Sequence, residues 1–222
     1  MRVDGFHSWR LAVSGADDLS FLALYVREAV RLAPPADSAI PPPLRVTPPD
    51  RSEVLTDDER DQASDAWQGW WRDILGYQAR LQGPPDDAGD FTDWVRFNSA
   101  ERAAIIGDVP DFEALSDRPA LRRAVTSLFM EAHAAQCAPR VDGAAGEPQI
   151  SWAVVREAAE EVSARHRVPI GDVQGVVIVL PVQGTWWCSA DAGEVVCSDA
   201  CLVDEATAGQ VVRGAFTSGL VR

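Results

Sequence analysis

Apolar positions recur at helical spacing through most of the chain and give way to a β-branched run near its end. Asp17 and Asp18 precede Leu19, Leu22, Val26, Val30 and Ala33, a spacing that predicts a helix with an acidic first turn, ended by Pro34 and Pro35. Residues 1–33 thus read as one short apolar segment followed by this helix. The clearest helix runs over 56–82. Thr56 and Glu59 match a capping box, and Ala63, Trp67, Trp70, Trp71, Ile74, Gln78 and Leu81 line one side, up to the stop at Gly83, Pro84 and Pro85. A short helix is expected from Ser99 to Ile106. Asp117 caps another expected helix, with Leu121, Val125, Leu128, Phe129 and Ala132 on one face.

The pattern then changes. Ser151 caps an expected helix carrying Trp152, Val155, Ala159 and Val162 on one side. Val173–Val182 is the strongest strand signal, and Pro181, which cannot donate to a ladder, places its end at an edge or a bulge. Two shorter strands, 185–190 and 194–198, flank the turn Asp191-Ala192-Gly193 and form a hairpin. A helix from about Asp204 to Thr217 closes the chain. The fold class expected is α+β: a mostly helical N-terminal part, then a helix, a three-stranded antiparallel meander and a closing helix.

Punctuation divides the chain into 1–33, a Pro-rich segment over 34–55, a helical region over 56–137 and an α+β region over 148–222, the last two together in one compact domain or apart. Seven prolines fall between residues 34 and 49. Such a segment is extended and stiff. It suits either a ligand for an SH3-type module or a strap laid across the following domain. The strap is preferred, because such modules are uncommon in bacteria.

Charge adds a partner class. The 222 residues carry 34 acids against 20 basic residues, a net of −14. Residues 50–117 hold 17 acids and six arginines, a net of −11, which leaves −3 for the rest. A concentrated acidic field steers a basic partner and argues against binding a phosphate backbone. All 20 basic residues are arginine, which fits codon bias in a GC-rich bacterial genome and excludes Schiff-base and P-loop lysine chemistry. No apolar run spans a bilayer. Arg2 is a basic start, but no signal-peptide core follows it before Arg10, so a cytoplasmic, disulfide-free protein is expected.

Candidate chemistry is sparse. With three histidines and no G-x-S-x-G, G-x-G-x-x-G or H-E-x-x-H motif, no catalytic residue is assigned. Cys188, Cys197 and Cys201 lie close together, and a hairpin turning on Ala192-Gly193 sets Cys188 opposite Cys197. His133 and Cys137 share one helical face. These five are the candidate metal ligands, for zinc or iron, although C-x8-C-x3-C matches no paired C-x2-C pattern. Acids clustered over Asp86, Asp87, Asp90 and Asp93 are candidate calcium or magnesium ligands outside the EF-hand register. Trp186 and Trp187 point to opposite faces of their strand, which leaves one of them as an interface anchor.

The leading expectation is a non-enzymatic cytoplasmic bacterial protein of adaptor or immunity type. Its interaction residues would be Trp186, Trp187, Asp57, Asp58, Asp61, Asp86, Asp87, Asp90 and Asp93, and its partner a basic protein, with neither nucleic acid nor membrane. The alternatives are a small Cys/His metal protein or metal-dependent enzyme, and a DNA-mimic inhibitor.

Overall fold

A computed structural model describes residues 8–80, 91–138, 150–191 and 193–220. The chain divides into two compact units, Asp17–Pro139 and the pair Met1–Ala16 with Arg140–Arg222.

The first unit is helical. In α1 (Asp18–Ala29), the Ser20 N–H donates to the Asp17 carboxylate at 2.7 Å, the cap its acidic start implied. The helix stops well before Pro34, because the chain turns at Arg31, which takes a left-handed φ of 57°. α2 (Asp57–Arg80) opens on the expected capping box. The Thr56 N–H donates to Glu59 Oε2 at 2.9 Å, and the Glu59 N–H donates to Thr56 Oγ1 at 3.3 Å. α3 (Phe91–Ile106) is longer than the short helix expected. α4 (Pro119–Cys137) begins two residues after Asp117, with Pro119 in its first turn and no side-chain cap. Proline is preset for that position and has no N–H to satisfy, so it sets the start in place of an acidic cap.

The stripe on α2 is core. Ala63, Trp67, Trp70, Trp71 and Ile74 are fully buried, together with Leu121, Ala124 and Val125 of α4 and Leu24 and Val26 of α1. Trp67 and Trp71, one turn apart, stack with ring centroids 5.6 Å apart and 6° between planes. Each indole N–H also ties α2 to another segment: Trp67 Nε1 donates to the Ala23 carbonyl of α1 at 2.8 Å, and Trp71 Nε1 donates to the Ala39 carbonyl at 3.0 Å.

Ala39 belongs to the Pro-rich segment, which is a strap across α1 and α2. Arg27 of α1 is almost wholly buried beneath it. Its Nη1 and Nη2 donate to the Pro41 and Pro42 carbonyls at 2.7 and 2.8 Å, and the guanidinium lies 5.3 Å from the Trp67 ring centre. Burial pulls this arginine below its ordinary pKa, and Glu28 beside it pulls it back up. Arg72 of α2 pairs with Asp37 at 2.5 Å, and Leu44 is buried. At the strap's end the Arg51 N–H donates to the Ala29 carbonyl at 2.7 Å.

The second unit is a mixed sheet with two helices. Its strands are β1 (Arg10–Gly15), β2 (Gln174–Leu180), β3 (Trp187–Asp191) and β4 (Glu194–Ser198), in the order β1-β2-β4-β3. β1 and β4 both run parallel to β2, and only β3 and β4 are antiparallel. The expected meander is therefore replaced by a four-stranded mixed sheet. The reason lies in burial: β4 is buried at all five positions and takes a central place beside β2, whereas β3 exposes Trp187 and Ser189 and takes the edge. β2 is central too, and Pro181 sits just past its end instead of at an edge. The apolar segment near the N-terminus supplies the other edge strand, in register Leu11↔Gly175 and Val13↔Val177.

α5 (Trp152–His166) and α6 (Glu205–Gly219) pack together, with Val155, Ala158, Ala159 and Val162 against Val212 and Phe216. Trp152 departs from its expected stripe: it is 67% exposed and lies against Trp9, with ring centroids 4.5 Å apart. Ser151 holds the cap position of α5 without a side-chain bond, while Asp204 caps α6 by accepting the Thr207 N–H at 2.8 Å. α6 lies close on β2. A Cβ on Gly175 would stand 2.9 Å from the Ala215 backbone, and one on Gly219 would stand 2.0 Å from the Gln174 carbonyl oxygen.

Candidate functional site

One side of α2 is fixed in the core by its tryptophans, so the other side is a fixed surface. That surface carries Asp58, Asp61, Gln62, Asp65, Gly69, Arg72 and Asp73, all exposed. Most charges near it are taken. Asp57 pairs with Arg60 at 2.7 Å, Asp73 with Arg118 at 3.6 Å and Arg72 with Asp37. Glu59 pairs with Arg123, and its carboxyl is held below the usual range chiefly by the Thr56 N–H. None of the ion pairs among the described residues involves Asp58, Asp61 or Asp65. Spacings of three and four put these three carboxylates on one helical face, spread over about 10 Å of axis.

Of the sequence-assigned interaction residues, Asp58 and Asp61 lie on this face, and Asp57 lies beside it with its charge engaged. Asp86, Asp87 and Asp90 fall outside the described residues, and Asp93 is placed on α3 by its backbone alone. Asp65 was missed, although its spacing from Asp58 and Asp61 marks the same face.

Trp186 and Trp187 are at the start of edge strand β3. Trp187 is 39% exposed, and its ring lies over Gly214 of α6 and beside Val195. Trp186 is half-buried and serves through its backbone: its carbonyl accepts the Ser198 N–H at 2.8 Å and the Cys201 thiol at 3.1 Å, and its N–H donates to Ser198 Oγ at 3.1 Å.

The cysteines do not pair as the turn implied. Asp191↔Glu194 keeps the expected register, but a bulge between Ser189 and Asp191 shifts it by one residue, so Cys197 faces Trp187 and Cys188 faces Val196. That one-residue slip sends Cys188 and Cys197 to opposite faces of the sheet. Cys197 and Cys201 are fully buried among Val177, Val195, Ala208 and Val211, and burial pushes the Cys197 thiol up, keeping it protonated at neutral pH. None of the four cysteines is in a disulfide. Among the described residues, no three His, Cys, Asp or Glu side chains are grouped so as to hold a metal ion.

His133 and Cys137 lie in the helical unit, exposed on α4, with Nε2 and Sγ 3.8 Å apart. The imidazole stacks on Phe129 at 6.3 Å and 15°, and Phe129 is braced edge-on by Phe112. His133 also lines a shallow crevice with Asp18, Phe21, Leu22, Phe129 and Gln136.

No family model, curated protein or solved structure matches the chain. Among the described residues, no helix is long and apolar enough to cross a membrane.

Proposed function

We propose that the protein is a cytoplasmic bacterial interaction protein, of adaptor or immunity type, that docks a basic protein on the exposed face of α2. The observation that carries this reading is the line of Asp58, Asp61 and Asp65, three exposed carboxylates with no ion pair among the described residues, on a helix where neighbouring charges are paired. Paired charges contribute little to an outside partner. Unpaired ones on a rigid helix break no existing ion pair on meeting an arginine or lysine, and they raise its on-rate. The three tryptophans beneath α2 and the strap beside it serve this reading by keeping the face straight and in place. Trp187, half-open at a sheet edge, is a second contact of the kind that interfaces use as an anchor.

The test is capture of partners from extracts of the source bacterium, with Asp58, Asp61 and Asp65 all changed to Asn in a second bait. The expected result is a basic protein held by the native chain and lost by the triple variant. Equal capture by both would refute the reading. The DNA-mimic alternative uses the same carboxylates and differs in one outcome: the captured protein would be a DNA-binding one, displaced by duplex DNA.

A further inference from the structure

We propose that the exposed face of α4 binds a soft, thiophilic metal ion of the cuprous class through Cys137, His133 and Met130. Three observations converge. First, Cys137 Sγ and His133 Nε2 stand 3.8 Å apart. An ion at ordinary bond lengths, about 2.3 Å to sulfur and about 2.05 Å to nitrogen, would join them at an angle of about 120°. The pair therefore spans one ion as it stands, at an angle that suits trigonal coordination. Second, the imidazole is held: it stacks on Phe129, which Phe112 braces, so Nε2 is presented toward the thiol without further ordering. Third, Met130 is 71% exposed, unlike the buried apolar residues Leu121, Leu128 and Ala132 on the other side of α4. It precedes His133 by three residues and Cys137 by seven, so the three share one helical face. Its unbranched thioether, flexible about three bonds, is the third donor assigned to the ion.

Thiolate, imidazole and thioether together select a soft ion over the hard cations that carboxylates take. The step is a ligand exchange: the Cys137 S–H bond breaks, the sulfur–metal bond forms, and one proton passes to solvent with no change of oxidation state. The buried Cys197 and Cys201 take no part. This site is separate from the acidic face of α2 and does not depend on its role.

The test is anaerobic titration of the whole chain with Cu(I) against a chromogenic competitor, with Ag(I) as an air-stable probe and Zn(II) for contrast. One equivalent of Cu(I) or Ag(I) is expected. Cys137→Ser should weaken it at least a hundredfold, and His133→Ala or Met130→Leu about tenfold each. Zn(II) binding should be insensitive to Met130→Leu. All three positions are exposed, and an unchanged melting temperature confirms that each variant folds. The proposal is overturned if Cys137→Ser leaves the tight equivalent in place. It is also overturned if His133→Ala and Met130→Leu both leave the affinity unchanged, since a bare surface thiol would then suffice.

Discussion

Arg27 shows how a single residue organises the helical unit. Its guanidinium lies over Trp67 and supplies donors to two consecutive proline carbonyls of the strap. Removing it takes the donor from both carbonyls, of which the one at Pro41 is buried. Arg27→Ala is therefore expected to destabilise the fold by about 3 kcal/mol, read as a lower urea midpoint with an unchanged slope. A stability equal to the native chain's would mean that the strap is held without it. Nothing in the sequence marked Arg27, because an arginine inside an apolar stripe looks like a break in the pattern until the strap's carbonyls are seen above it. The capping box at Thr56 and Glu59 was legible for the opposite reason, since both partners lie within one turn. The cysteine register was not, because it turns on a one-residue bulge that alternation does not encode.

At the scale of elements, the helices were legible and the sheet order was not. Periodicity of 3.6 is a local property and survives in α2 and α4. Which strands become neighbours depends on burial on both faces. That property moved β4 to the centre and drew β1 in from the other end of the chain. Close approach of α6 to β2 is a further element-level condition. Gly219→Ala would drive a methyl into the Gln174 carbonyl and is expected to cost roughly 1–3 kcal/mol. Gly69→Ala on the open face of α2 meets nothing within 4 Å and is expected to gain about 0.5–1 kcal/mol by helix propensity. Thermal melts of the two variants should move in opposite directions. A melting temperature that stayed level or rose for Gly219→Ala would contradict the packing of α6.

For the molecule as a whole, the lowered carboxylates set the response to acid. Asp37, Asp50, Glu59, Glu113, Glu131 and Asp204 are all held below their ordinary values. The largest influence is a backbone N–H for Asp37, Asp50, Glu59 and Glu113, and a side-chain hydroxyl for Glu131 and Asp204. Glu131 accepts the Tyr25 hydroxyl at 2.8 Å and Arg51 Nε at 3.1 Å, joining α1, the end of the strap and α4. A lowered folded value means that the unfolded chain takes up protons first. The stabilisation is complete above the unfolded carboxylate values of about 4 and is lost as pH falls through the folded ones. The melting temperature should stay level from pH 7 to about 5 and fall below about 4, with Glu131→Gln flattening part of that fall. A melting temperature that rose on acidification would contradict this.

The same scale holds the net charge, −11 of which lies in residues 50–117. The sequence located that charge in a segment. The structure resolves part of it into paired carboxylates and the three open ones on α2. The most direct test of the account is the salt dependence of association between the native chain and its captured partner, compared with the variant in which Asp58, Asp61 and Asp65 are Asn. The account predicts an affinity that falls steeply with added salt for the native chain, and a weaker and flatter dependence for the variant. Identical affinities and identical salt slopes for the two chains would contradict it.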